Sequence, residues 1–209
     1  MIKIVTIERE YGCGGGEIAR RLAENLGWKL WDQSLTEEIA RLASCSNEVV
    51  ARREERTDPL YYRLFKSFLR GSYEGSLNAH KLNLVDSESI LEYTKSVVER
   101  VAGSGNCVIV GRGGQHFLRH RPDTLRIFLY APRENKVRRI VARGKSEHEA
   151  QELADTVDVE RAAFIAKYFK VEWPSRAVYH AMINTAIGDE NVLKTISELM
   201  KTVETTARS

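Results

Sequence analysis

Four glycines, Gly12, Gly14, Gly15 and Gly16, fall within five residues around Cys13, where an apolar run meets a helical pattern in KIVTIEREYGCGGGEIARRLAENLG. Glycines let the backbone turn so that successive N–H groups converge on one point. A helix N-terminus adds its partial positive charge, and together the two hold a phosphate. The same glycines can also make a tight strand-to-helix turn without a ligand, but their density at the first such junction favours phosphate. Aligned on its glycines with the loop GxxxxGK[ST], the segment has Gly15 in place of the lysine that reaches the β- and γ-phosphates. Gly16 then falls at the magnesium-binding hydroxyl, with Glu17 beside it as the candidate metal ligand. A catalytic loop of this kind needs a guanidinium to supply the missing charge. Arg9 precedes the loop, and Arg20 and Arg21 follow one helical turn on; the alternative is that these are solvated surface charges.

The histidines and cysteines form no second constellation. His116 and His120 stand four apart without the third ligand or acidic partner of an HExxH helix, so the five histidines are expected at the surface. Cys13, Cys45 and Cys107 are odd in number, far apart and without a CxxC pair, which points to reduced thiols in a reducing compartment. Tyr61, Tyr62, Phe65, Phe68 and, farther on, Phe164, Tyr168, Phe169 recur at helical spacing. They are expected in a core or a subunit interface rather than a base-stacking platform, which makes a homo-oligomer one expectation.

A phosphate nest needs a strand behind it and a helix after it. Residues 2–7, 28–31, 107–110, 125–130 and 181–183 read as buried strands, each followed by a helical pattern. Ile18, Leu22 and Leu26 repeat at four-residue spacing, and Leu35, Ile39 and Leu42 recur on one helical face. Ile90, Val97, Val98 and Val101 mark the stripe of a segment opened by Asp86 and Ser87, and helices also fit residues 134–143 and 191–203. Alternation of this kind, with strands apolar on both faces, predicts a parallel sheet between two helical layers. Residues 44–85 break the rhythm with two helical patterns, at 49–56 and 60–69, and no strand between them, and read as an inserted helical subdomain. Residues 143–170 read as a second charged helical excursion off the sheet.

With 209 residues, the chain is expected to form one compact unit. Its 43% hydrophobic and 29% charged residues, with a mean hydropathy of −0.37, exclude a disordered, collagenous or membrane-embedded protein. Thirty-two basic against 29 acidic residues leave a net charge of +3, a field too weak to argue for nucleic acid even with the run Arg119, His120, Arg121. No apolar run approaches the roughly 18 residues of a membrane span. The opening MIKIVTIERE turns charged too soon for a signal peptide, so a cytoplasmic location without a membrane partner is expected.

The run TIEREYGCGGGEIARRLAENLG, with the short strand ending in Asp32, resembles the start of the cytidylate kinase-like family of P-loop proteins. CVIVGRGGQHFL, LRIFLYAPRENKVRRIVAR, DVERAAFIAKYFKVEW and MINTAIG resemble its later blocks, in order. The resemblance covers nearly the whole chain outside residues 44–85. It implies an α/β fold like that of nucleoside monophosphate kinases, a three-layer α/β/α sandwich around a five-stranded parallel sheet. Residues 1–209 would form one domain, with a nucleoside monophosphate-binding helical insert at about 44–85 and a lid at about 143–170. The chain departs from the family's pattern at Gly16, where an arginine is usual, and at Glu8 and Cys13, where serines are common. It departs again at Gly113, where true cytidylate kinases complete a GRD motif with an aspartate near the cytosine.

In that frame the nucleotide phosphates lie on Gly12, Cys13, Gly14, Gly15, Gly16 and Glu17, and Asn184 and Thr185 resemble the turn that borders the adenine, or only cap a turn. Arg112 ends a buried strand where open α/β sheets bind ligands, and suits an acceptor monophosphate or a structural ion pair. Asp32, also at a strand end, can hold Mg²⁺ through water, orient the acceptor or cap the next helix, as Ser34 also can. Arg139 and Arg143 share a helix face, with Arg161 in the next helix. With Arg9 and Arg20 they are the candidates for neutralising a transferring phosphoryl group, against the alternative of a solvated basic face balanced by Glu134, Glu147 and Glu149. Arg52, Arg53 and Arg56 in the insert face the same two readings, with Arg52 and Arg56 as acceptor ligands. Glu17 and Asp32 are the candidates for Mg²⁺ accompanying ATP or GTP. The implied activity is γ-phosphoryl transfer to a nucleoside monophosphate, CMP or dCMP first, or to a similar phosphorylated small molecule. The alternative is a regulatory nucleotide-binding protein that lost the loop lysine. Nucleotides are the expected partners and nucleic acid is not.

Overall fold

Strands without polar alternation can bury both faces only between two helical layers. The computed structural model describes residues 1–50 and 87–206. It arranges five such strands, β1 (Ile4–Arg9), β2 (Lys29–Trp31), β3 (Cys107–Val110), β4 (Thr124–Tyr130) and β5 (Ala181–Asn184), as one parallel sheet in the order β2-β3-β1-β4-β5. The described helices are α1 (Gly15–Leu26), α2 (Gln33–Val50), α3 (Ser87–Gly103), α4 (Gly114–Phe117), α5 (Arg133–Val141), α6 (Glu147–Phe169) and α7 (Asp189–Thr206). The fold is the expected α/β/α sandwich.

The two-residue period of each strand divides the core. Val5, Ile7, Val108, Val110, Ile127 and Leu129 pack against Ile18 and Leu22 of α1 and Val192 and Ile196 of α7. Ile4, Cys107 and Ile109 face the opposite layer, against Leu35 and Ile39 of α2, Val97 and Val98 of α3, and Phe164 and Ile165 of α6. Each such aliphatic side chain contributes about 1.5–3 kcal/mol by leaving water, which makes the sheet a rigid base for the loops at its carboxyl edge. The chain leaves β1 for β2 past β3, and leaves β3 for β4 past β1, so the winding reverses between β1 and β3. A crevice opens outside the carboxyl ends of strands at such a reversal, and here it lies between the glycine loop after β1 and Gly111, Arg112, Gly113 after β3.

Three boundaries differ from those the sequence suggests. The first strand runs to Arg9 rather than ending at Ile7, because Glu8 and Arg9 pair with Phe128 and Leu129 of β4. The break placed at residue 44 falls inside α2, which continues without interruption to Val50. The excursion at 143–170 divides in two. Ala150, Ala154 and Val157 of α6 join Tyr11 and Ile140 in a small separate cluster, whereas Phe164 and Ile165 belong to the main core. A helix of 23 residues is long enough to leave one cluster and enter the other. The rest of the expected insert, including the helical patterns at 49–56 and 60–69 beyond Val50, lies outside the described residues, as do Tyr61, Tyr62, Phe65 and Phe68.

Phe164, Tyr168 and Phe169 pack in the core beside Phe117. His116 is no surface histidine: it stacks on Phe169 with ring centroids 4.3 Å apart, and burial lowers its pKa to about 4. Among the described residues, no helix is long and apolar enough to cross a membrane.

Candidate functional site

β1 carries the chain into the nest. Gly14 sits at φ +87, a left-handed conformation that costs a side-chain-bearing residue about 1 kcal/mol or more. The Ile18 N–H bonds to the Gly14 carbonyl at 3.2 Å as the first bond of α1, so the N–H groups of the first turn have no acceptor within the helix. The nest opens into a cleft lined by Gly12, Gly14, Gly15 and Gly16 and by Arg9, Glu10, Tyr11, Arg143 and Arg161. Three of the arginines singled out in the sequence thus converge on the glycines. Backbone donors, a helix N-terminus and a surplus of positive charge make the cleft a receptor for anions.

A carboxylate network holds Arg161 and the segment around Arg9. Arg161 of α6 donates from Nη1 to the Arg9 carbonyl at 3.0 Å and to Asp158 Oδ1 at 3.2 Å. Asp158 Oδ1 also accepts the Tyr11 N–H at 2.8 Å, and its Oδ2 accepts Lys136 Nζ at 3.1 Å. Lys136 lies 3.2 Å from Glu10 as well. Asp158 therefore ties α5 and α6 to the segment that enters the nest. Burial, with Arg9 beside it, brings the Arg161 guanidinium down to about 10, still cationic at neutral pH. Burial pushes the Asp158 carboxyl up, against the pull of Arg161 and Lys136. The sequence reading passed over Asp158 and Lys136. The three-residue spacing of Asp158 and Arg161 was a usable signal, but Lys136 had none, because its burial follows from the packing of α5 on Gly12.

Arg139 turns from α5 toward the other wall, donating from Nη2 to Asp189 Oδ1 at 2.6 Å. Arg20 does not reach the nest. It is 39% exposed on the outer face of α1, where Nε bonds to Glu17 at 3.0 Å and Nη1 to Glu24 at 2.5 Å. Offsets of three and four residues put both glutamates on the arginine's own helix face, so the expected loop cation and the Glu17 metal ligand hold each other at the surface instead. Arg21 is paired with Glu190 of α7.

The Cys13 side chain is fully buried, with Sγ 3.6 Å from the Leu129 carbonyl. Burial pushes its thiol up to about 12, so only its backbone serves the nest. At the adenine-side turn, Asn184 Oδ1 accepts the Ala186 N–H at 3.0 Å and Thr185 Oγ1 donates to the Cys13 carbonyl at 2.7 Å. Thr185 is buried, and it braces the loop rather than facing a ligand.

Across the crevice, Arg112 donates from Nη1 to Asp32 Oδ1 at 2.7 Å and to the Val110 carbonyl at 3.0 Å, and from Nη2 to Thr36 Oγ1 at 2.6 Å. The residue is 1% exposed. Of the two readings for Arg112, the ion pair is formed: the guanidinium is enclosed by the ends of β2, α2 and β3 and clamps them together. Asp32 is the other half of that clamp. Arg52, Arg53 and Arg56 lie outside the described residues.

Glu17 is turned outward to Arg20, and Asp32 is bonded to Arg112. Among the described residues, no group of three His, Cys, Asp or Glu side chains is placed to hold a metal.

Residues 4–187 match the cytidylate kinase-like family, and the chain belongs to that family. Cytidylate kinases of Shewanella sp. (strain W3-18-1) and Shewanella putrefaciens (strain CN-32 / ATCC BAA-453) are each 35% identical to it over 69 residues, 33% of this chain and 30% of theirs. The similar stretch thus spans less than a third of those relatives. An uncharacterized protein from Eubacterium ventriosum ATCC 27560 superposes with a TM-score of 0.69 at 20% identity, covering 97% of this chain and 99% of its own. The shikimate kinase of Acinetobacter baumannii, solved in complex with shikimate, gives 0.52 at 16% identity over 97% and 94% of the two chains. That of Bacteroides thetaiotaomicron gives 0.51 at 14% over 96% and 99%. At these identities the likeness establishes the fold, which is that of kinase-type P-loop proteins.

Proposed function

We propose that the protein transfers the γ-phosphoryl group of ATP or GTP to a nucleoside monophosphate, CMP or dCMP first, or to a similar phosphorylated small molecule. The observation that carries this reading is the convergence of Arg9, Arg143 and Arg161 on the glycine nest. Polyanion binding alone would need only the nest, whereas three guanidiniums lining it, two of them buried and held by carboxylates, suit a site where charge spreads over a transferring phosphoryl group. Family membership supports the same class of reaction. Mg²⁺ is proposed to arrive with the nucleotide, held by phosphate oxygens and water, since it commonly needs few protein ligands. Choosing CMP over other acceptors rests on family likeness, because Gly113 stands where the GRD motif has its cytosine-side aspartate.

A second reading, nucleotide binding without transfer, is favoured by one observation: Arg139 lies over Gly14 and is latched to Asp189, which covers part of the nest. Coupled ADP release measured against a panel of nucleoside monophosphates separates the two. Turnover that depends on one acceptor is the expected result. Tight ATP binding with no transfer to any acceptor would replace the first reading with the second.

A further inference from the structure

We infer that Arg9 is the phosphate-binding cation of this loop, brought from β1 to the place that a GxxxxGK[ST] loop gives its lysine, and that Glu8 positions it; the inference rests on the nucleotide reading above. Counted along the pattern, its first glycine falls on position 9, its second on Gly14 and its lysine on position 15. The chain therefore has a cation where the pattern has glycine, and glycine where the pattern has the cation.

Packing makes the two exchanges one event. A Cβ at Gly15 would lie 2.8 Å from Cβ and 2.9 Å from Cγ of Arg9. No side chain, lysine included, fits at 15 while the arginine stem stands at 9. At its far end the guanidinium rests on Gly111, where a Cβ would lie 2.2 Å from Nη1. Arg9 thus runs from the first turn of α1 to the loop after β3, across the crevice in which donor and acceptor phosphates would meet, and it lines the cleft.

The seat is held from several sides. Glu8 Oε1 accepts the Arg9 N–H at 3.0 Å and stands 3.6 Å from Nη1. Gln115 Nε2 donates to the other Glu8 oxygen at 3.0 Å, and Arg161 holds the Arg9 carbonyl. This grip is what a buried cation needs if it is to keep one geometry. A planar guanidinium so fixed can engage two phosphate oxygens at once, where a lysine engages as a point charge.

The test compares ATP with AMP, which lacks the β- and γ-phosphates, by titration calorimetry on the full chain. Wild type is expected to prefer ATP by about 10- to 100-fold, the range of one or two charge-assisted contacts. Arg9→Met, which keeps a stem over Gly15 and removes the charge, should reduce that preference to about twofold, and Arg9→Lys should retain most of it. Glu8→Gln leaves the Arg9 charge and should lower the preference by about three- to tenfold. Gly15→Lys alone, colliding with Arg9, should lose ATP binding, and Arg9→Gly/Gly15→Lys should recover it to above the Arg9→Met level. A wild-type ATP/AMP ratio in Arg9→Met overturns the assignment, and so does a double variant no better than Arg9→Met. Should Arg9→Met fail to fold, the Arg9→Lys and double variants decide alone: loss of the preference in Arg9→Lys, or no recovery in the double variant, overturns it. If wild type binds neither nucleotide, it is the nucleotide reading that falls.

Discussion

Arg139 reaches across the glycine loop to Asp189, with Nη2 2.6 Å from Oδ1, and in that position its Nη1 would lie 2.3 Å from a Cβ at Gly14. Gly14 is therefore constrained twice, by its left-handed backbone at φ +87 and by the guanidinium above it. Gly14→Val should lose nucleotide binding, seen as no calorimetric heat with ATP. It should also lower stability by about 1–3 kcal/mol in urea unfolding. Unchanged ATP affinity in the folded variant would count against a phosphate nest.

The Asp32–Arg112 pair joins residues 80 apart in sequence, with both side chains buried. Removing one member leaves the other charge in the interior without its counter-ion. Arg112→Ala is expected to cost about 3–5 kcal/mol in urea unfolding, whereas Asp32→Leu/Arg112→Met should lie closer to wild type. A variant with near-native stability and a raised KM for the acceptor alone would instead put Arg112 in the acceptor site.

His116 makes stability fall in mild acid. Burial, with Arg119 adding to it and Glu8 opposing it, lowers its folded-state pKa from 6.5 to about 4. Between those values the unfolded chain binds the proton and the folded chain does not, so stability rises with pH across that window and is lost as pH falls from 6.5 toward 4. The loss should be on the order of 2 kcal/mol, after discounting for partial exposure. Urea unfolding at pH 7 and pH 4.5 should show a smaller difference in His116→Phe than in wild type; equal differences would remove His116 as the cause.

Arg20 is tied to Glu17 and Glu24 at the surface. Exposed pairs of this kind contribute little, so Arg20→Ala should leave ATP affinity and turnover within about twofold of wild type. A loss of 100-fold in single-turnover transfer would mean that Arg20 swings into the nest during the reaction.

The five strands, the helices that follow them and the nest were legible in the chain itself, because each is written in local pattern. Runs such as Val5 to Ile7 cannot face water on either side, Ile18 and Leu22 recur at the helical period, and the glycines crowd one junction. Arg9, Arg143 and Arg161 could be listed as cations from sequence, and so could Arg20, with nothing local to tell them apart. Tertiary structure separated them. Pairing with β4 extended β1 to bury Glu8 and Arg9, the rotation of α1 sent Arg20 outward, and the path of α6 laid Arg161 and Asp158 against the entry to the nest. The same holds for Arg112, whose strand-end position suits a ligand or a clamp. The ion pair is made with Asp32 and the hydrogen bond with Thr36, 80 and 76 residues away. Periodicity and glycine content act through neighbours along the chain and can be read there. Which charges meet depends on strand order, helix rotation and burial, which exist only once distant segments have packed.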